Sequence, residues 1–366
     1  MYHASSQTLN KTDIKLSYVQ IKELQDSSSW RTIDLSHNAI EFINYQELTK
    51  QNQLENLTLN FNSKIGGHAN QKILEHKTLK KFECRRCGFT EISREHFGGL
   101  VSLVKLLLND NEINQINENA FKSNGNLKVV DLSGNQLKTL PHTTFAVTKS
   151  FDELRLTNNP IEFSVNKSFL KSESLKRLVM DRCNITTVYS QTFVELPGLE
   201  ALNLNRNQIQ GLPLNSLTIN SKLKSLLLES NRLKTFTVGN LDFLKNLTEL
   251  CLDSNPFVCT SDFSKFVTKY LNNTLRTDVC NDDLEIFIET LCEVAEIPID
   301  APVEVTKVPP TNPATLTGNK GISDFFIGSY ITLILIIQAV AVVLLTIYLI
   351  KITKYEKLDG EAALER

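Results

Sequence analysis

The chain has 366 residues, of which 41% are hydrophobic and 22% charged; 39 Lys and Arg against 41 Asp and Glu leave a formal net charge of −2. That length allows two to three ordinary domains, the apolar content excludes disorder as the main state, and the charge balance gives no reason to expect a nucleic-acid or heparin binder. Seven cysteines are too few for a disulfide-dense scaffold, and their odd number leaves at least one unpaired within the chain.

In chain order, residues 1–29 hold a degenerate copy of a repeat, Ile14-Lys15-Leu16 with Ile21, read as the start or cap of an array. Clear units begin at Trp30 and Leu54. From Leu79 the pattern L-x-x-L-x-L returns at Leu103, Leu127, Phe151, Leu175, Leu199, Leu223 and Leu247, each 24 residues after the last. Leu54 stands 25 residues before Leu79, so one residue is inserted there. The ten clear units span 30–257.

Each L-x-x-L-x-L segment predicts a short strand with its leucines inward, stacked in parallel on its neighbours about 4.8 Å apart. The ninth position of the unit reads Asn38, Asn62, Cys87, Asn111, Asn135, Asn159, Cys183, Asn207, Asn231 and Asn255. A buried amide there can satisfy turn backbone groups that would otherwise be orphaned. A second apolar column, Phe97, Phe121, Phe145, Phe169 and Phe193, fills the far side of each unit and widens it, so the solenoid curves.

Beyond the array, residues 258–297 contain Cys259, Cys280 and Cys292, and 298–326 turn to prolines, threonines and small residues, the composition of an extended stalk. Residues 327–350 carry no charge and one strongly polar side chain, Gln338. At 1.5 Å per residue that run is long enough to cross a ~30 Å hydrocarbon core as a transmembrane helix. Lys351, Lys354 and Lys357 follow it, which by the positive-inside rule puts the tail 351–366 in the cytosol and the repeats outside. The first residues, however, contain no apolar signal segment. Two accounts compete: an incomplete or processed form of a secreted-type precursor, which the cysteines and the stalk favour, or a tail-anchored protein with cytosolic repeats. In the tail, Tyr355 and Leu358 match an endocytic Y-x-x-apolar motif.

The repeat resembles the 24-residue extracellular leucine-rich repeat family over residues 14–257. The resemblance implies an α/β solenoid, a horseshoe with a curved parallel sheet, closed by a C-terminal cysteine cap. It favours a Cys259–Cys280 disulfide. The family's second cap cysteine is replaced by Ser261, so Cys292 lacks its usual partner and Cys251 is the nearest candidate. The ectodomains of Toll-like receptors and of leucine-rich immune and adhesion proteins are similar. They imply an extracellular protein or glycan ligand on the concave face. The short tail leaves signalling to a membrane co-receptor or dimer partner, and the residues support no cofactor, metal or enzymatic activity: the six histidines lack ligand spacing and no glycine-rich phosphate loop occurs. A second reading makes the chain an auxiliary subunit of a channel or receptor, acting through its transmembrane helix and Gln338.

Candidate ligand contacts are the outward strand positions. Lys81, Arg85, Arg86 and Lys105, with Leu107, form one basic group. Arg155, Arg177, Arg182 and Arg206, with Val179 and Leu227, form another. Arginine beside exposed aliphatic surface is typical of binding hot spots. In the opposing reading Glu83, Glu153, Asp181 and Glu229 neutralise the arginines. Asp34, Ser36 and His37 could suggest a hydrolase triad, but Asp131-Leu132-Ser133-Gly134-Asn135 repeats the string without histidine. Cys84 and Cys87 make a C-x-x-C, and with Cys183 they read as small buried substitutes in the leucine and asparagine columns. Cys251 points outward on the last strand. Sequons stand at Asn10, Asn56, Asn166, Asn184, Asn246 and Asn272, no more than chance supplies.

Overall fold

A computed structural model describes residues 8–14, 30–43, 48–67, 72–213, 215–236 and 243–258. The chain divides into two units, Met1–Pro298 and Ile299–Arg366, and all the described residues belong to the first. The expected stalk, transmembrane run and tail lie outside the described residues, as do Cys259, Cys280, Cys292, Asn272, Gln338, Tyr355 and Leu358. Among the described residues no helix is long and apolar enough to cross a membrane.

Eleven three-residue strands form one parallel sheet. They are β1 (Thr8–Asn10), β2 (Thr32–Asp34), β3 (Asn56–Thr58), β4 (Lys81–Glu83), β6 (Lys105–Leu107) and β8 (Val129–Asp131). The sheet continues through β9 (Glu153–Arg155), β10 (Arg177–Val179), β11 (Ala201–Asn203), β12 (Ser225–Leu227) and β13 (Glu249–Cys251). The register keeps the repeat: Leu178 pairs with Leu154 and Leu202, and the inserted residue is absorbed where Leu57 meets Phe82. In the sheet strands from β2 to β12 the central residue is buried and the flanking two are half-buried or exposed; in β1 the central Leu9 is only partly buried, and β13 buries Cys251 as well as Leu250.

The first strand corrects the sequence reading. β1 uses Leu9, paired with Ile33, and so begins the array ahead of Ile14. Ile14 instead occupies the asparagine position of that coil, and its N–H donates to Asn38 Oδ1 at 3.1 Å. Leu9 stands 24 residues before Ile33, but Lys11 holds the place of the next inward leucine, which hides the copy.

On the opposite side, β5 (Glu91–Ile92) and β7 (Gln115–Ile116) make a short parallel pair. The phenylalanine column packs between the two sides, with Phe97, Phe121, Phe145 and Phe193 fully buried. Phe121 stacks on Phe145 at 5.1 Å and Phe145 on Phe151 at 4.4 Å between ring centroids. One hydrophobic core runs through the coils from Ile33 to Phe257. Truncating one of its buried leucines to alanine should cost about 2–5 kcal/mol.

The asparagine column works as expected. Asn111, Asn135, Asn207 and Asn231 each donate to a carbonyl of their own coil and to one of the coil before. The cysteine substitutions differ from each other. Cys183 is a buried free thiol, whereas Cys84 and Cys87 are joined in a disulfide. The two positions are three residues apart and both turn inward, which brings their Cα atoms to 5.6 Å, within disulfide reach. Cys251 is buried and disulfide-bonded, its partner lying outside the described residues.

Candidate functional site

The outward face of the sheet is built from two strand positions and the two residues that follow each strand's next leucine. The second of those two lies in the left-handed region in coil after coil: His37 (φ 56°), Phe61 (61°), Arg86 (53°), Asp110 (55°), Asn158 (57°), Arg182 (53°) and Arg206 (53°). The turn is imposed by the neighbouring coil. The N–H of Phe61 donates to the Arg85 carbonyl at 2.7 Å, and that of Arg206 to the Glu229 carbonyl at 2.8 Å. Left-handed geometry costs a residue with a β-carbon about 1–2 kcal/mol. Stacking holds a row of long side chains in this conformation along one border of the sheet.

All the candidate ligand contacts fall on or beside this face. Leu107, Val179 and Leu227 are half-buried between inward residues, as expected. The two basic groups are each brought together, but their charges are handled differently. In the second group every guanidinium has a carboxylate. Arg155 Nε lies 2.5 Å from Glu153 and its Nη1 3.9 Å from Asp131. Arg177 pairs with Asp152 and, at 3.4 Å, with Glu153. Asp181 stands between Arg206 at 3.3 Å and Arg182 at 3.9 Å, and Glu229 lies 4.0 Å from Arg206. Burial pushes the Glu153 carboxyl up, but hydrogen bonds and charge from Arg155 and Arg177 outweigh it and hold it below the usual range. The hydrogen bond that Arg155 donates to Glu153 in turn raises the Arg155 pKa.

In the first group only two cations are matched. Lys81 lies 2.6 Å from Glu83, and Arg85 Nε 2.6 Å from Asp110. Burial raises Glu83, yet hydrogen bonds from Lys81 and Asn60 and the charges of Lys81 and Lys105 bring it below the ordinary carboxylate value. Arg86 and Lys105 are exposed and have no carboxylate within 4.0 Å among the described residues. The guanidinium carbons of Arg85 and Arg86 lie 5.8 Å and 5.6 Å from the Phe61 ring centroid, within cation–π range. Phe61 stacks on His37 at 4.3 Å. Sequence reasoning missed Phe61 and weighed His37 only as a triad candidate, although one column carries His37, Phe61 and Arg86 in successive units.

Ser36 Oγ donates to Asp34 Oδ1 at 2.6 Å while His37 lies against Phe61. The Ser36 N–H also donates to Asp34 Oδ1 at 3.0 Å, and the Ser133 N–H makes the corresponding bond to Asp131 Oδ1 at 2.9 Å, so the string is a recurring turn. Asn10, Asn166, Asn184 and Asn246 are exposed. Asn56 lies on β3 and donates to Thr32 Oγ1 at 3.0 Å. No group of three metal-ligating side chains occurs among the described residues.

The leucine rich repeat family pattern matches in five overlapping windows, 77–137, 101–161, 125–185, 149–209 and 173–233. Residues 77–233 are leucine-rich repeats. Comparison with curated proteins finds no matching relative. Among solved structures, the glycosylated Toll–Spatzle complex, from Drosophila, matches with 20% identity and a TM-score of 0.55, covering 71% of this chain and 38% of that one. A chain of the octameric complex of latrophilin 3, Unc5D and FLRT2 matches with 22% identity and a TM-score of 0.50, covering 73% and 89%. The TLR13 complex with ssRNA13 matches with 19% identity and a TM-score of 0.44, covering 73% and 49%. The chain thus spans less than half the length of the Toll and TLR13 chains it matches. At these identities the likeness concerns the leucine-rich repeat fold, which serves typically as a non-enzymatic interaction scaffold.

Proposed function

We propose that this leucine-rich repeat protein is a cell-surface recognition protein that binds an extracellular protein through the outward face of its sheet. The carrying observation is the basic group at the third and fourth clear repeats, where Arg86 and Lys105 have no carboxylate within 4.0 Å among the described residues and lie beside half-buried Leu107. The second basic group is already satisfied internally, so a partner gains less by meeting it. Disulfides at Cys84–Cys87 and at Cys251 suit an oxidising exterior. The apolar run 327–350 supplies a membrane anchor, and a cytosolic tail of 351–366 leaves signalling to a partner in the membrane. The functional analogy is drawn from the Toll–Spatzle complex of development and innate immunity and from the complex of FLRT2 with latrophilin 3 and Unc5D, each an assembly with protein partners.

The test places a photo-crosslinking amino acid at Leu107, at Val129 or, on the flank of the solenoid, at Val165, in the full chain on intact cells. Cross-links to one protein from Leu107 and Val129, absent from Val165, support the reading. Adducts from Val165 alone, or a repeat region that external protease cannot reach, overturn it.

A further inference from the structure

The sheet-face reading leaves open what chemistry the partner brings, and the Cys84–Cys87 segment addresses it. The disulfide closes a ring of four residues whose two middle members are Arg85 and Arg86. Both cysteines are fully buried, so the ring is fastened into the core while the arginines face outward. Arg86 sits in the left-handed corner at φ 53° and is followed by Gly88 at φ 79°. A β-carbon on Gly88 would lie 2.1 Å from the Ser63 carbonyl oxygen, so only glycine fits at this corner of the turn. The N–H of Cys87 is held by Asn111 Oδ1 at 2.7 Å, and that of Arg85 by Asn60 Oδ1 at 2.8 Å. The backbone that carries the arginine pair is therefore held before any partner arrives, which lowers the entropy cost of binding.

The surroundings define the complement. The His37–Phe61 stack offers aromatic surface directly beside Arg86. On the next strand Lys105 is exposed and Leu107 half-buried. Carboxylates Glu83 and Asp110 are interspersed and engaged by Lys81 and Arg85. Arg86 and Lys105 are thus the two cations of the group with no carboxylate within 4.0 Å among the described residues, Lys105 acting on Glu83 only at longer range, and both are set among apolar groups. A phosphate backbone is bound by a continuous uncompensated basic track. Two carboxylates flanking an apolar side chain match this arrangement better.

We propose that the disulfide-closed Cys84–Cys87 loop is an anchor for an acidic, apolar-containing segment of a protein partner, with carboxylates at Arg86 and Lys105 and an apolar side chain against Phe61 and Leu107. The proposal rests on the sheet face being the ligand surface and adds the anchor and the partner's charge.

The test measures binding of a fluorescein-labelled peptide of alternating Glu and Leu to the full chain by anisotropy, at low and at physiological salt. A Lys/Leu peptide and an oligouridylate of equal length serve as comparison probes. The Glu/Leu peptide should bind best, and Arg86→Glu or Lys105→Glu should weaken it about tenfold each. Lys122→Glu, the same charge change on the flank, should leave it unchanged. Phe61→Ala should weaken binding at both salt concentrations. The double change Cys84→Leu with Cys87→Asn restores the repeat pattern without the ring. It should weaken the peptide while thermal melting shows the coils intact. Failure of the Glu/Leu peptide to bind, equal effects from Lys122→Glu, or tighter binding of oligouridylate overturns the proposal. Cross-linking at Leu107 with no sensitivity to Arg86 would reject this anchor and leave the sheet-face reading standing.

Discussion

The side-chain amide of Asn159 donates to the carbonyl oxygen of Leu132, 27 residues earlier, at 2.9 Å. It also donates to the Leu156 carbonyl at 2.9 Å, and its Oδ1 accepts the Leu137 N–H at 2.9 Å. The residue is 1% exposed, so no water can replace these bonds. The two carbonyls keep second partners, Asn135 Nδ2 and the Cys183 thiol, whereas the Leu137 N–H would lose its acceptor. Asn159→Ala should therefore cost about 1–3 kcal/mol for the orphaned donor, before any cavity term. Asn38→Ala, at a half-buried position near the start of the array, should cost less because solvent can reach the site. Urea unfolding of the two variants checks this, and equal losses would refute the dependence on burial.

Cys183 carries the other substitution in the asparagine column, and its thiol lies 3.1 Å from the Leu156 carbonyl. Burial pushes its pKa up to about 12. At pH 8 roughly one molecule in ten thousand would carry the reactive thiolate. Iodoacetamide should leave Cys183 unmodified in the native protein and alkylate it fully in denaturant, as read by peptide mass. Native labelling at a rate comparable to an exposed cysteine would show that the coil opens there.

Much of this architecture is legible because one physical constraint repeats. Leu154, Leu178 and Leu202 must each fill the same slot, and Asn135, Asn207 and Asn231 must each bridge the same turn, so periodicity alone finds them. Legibility fails where a residue breaks its column. Lys11 in a leucine place concealed β1 and drew attention to Ile14. Cys183 conceals a local rearrangement: the Ile161 N–H bonds to the Cys183 carbonyl at 3.0 Å, where other coils use an amide oxygen. The Cys84–Cys87 bond joins two columns that read separately as a leucine and an asparagine substitution. The site is less legible than the fold, since the positions of the arginines follow from the repeat but their partners do not. Whether Arg177 meets Asp152 or Arg86 meets Phe61 depends on side-chain direction across neighbouring coils. The left-handed column containing His37, Phe61 and Arg86 was the available signal.

Asp253 lies 7% exposed at the end of the sheet, and its Oδ2 has no hydrogen-bond partner among the described residues. Burial first, and the nearby Glu229 charge second, raise its pKa from 3.8 to about 6. The folded protein therefore holds this proton more tightly than the unfolded chain does. Below about pH 4 the carboxyl is protonated in both states and contributes no penalty. Between about pH 4 and 6 the unfolded chain ionises first, so stability falls as pH rises, and above about 6 the full penalty persists. Asp253→Asn removes the titration. Its melting temperature relative to the parent should be highest above pH 6 and decline toward the parent's as the pH falls to 4. Melting curves for both proteins across that range decide it. A constant difference between them would mean that Asp253 titrates in the folded protein as it does in the unfolded chain.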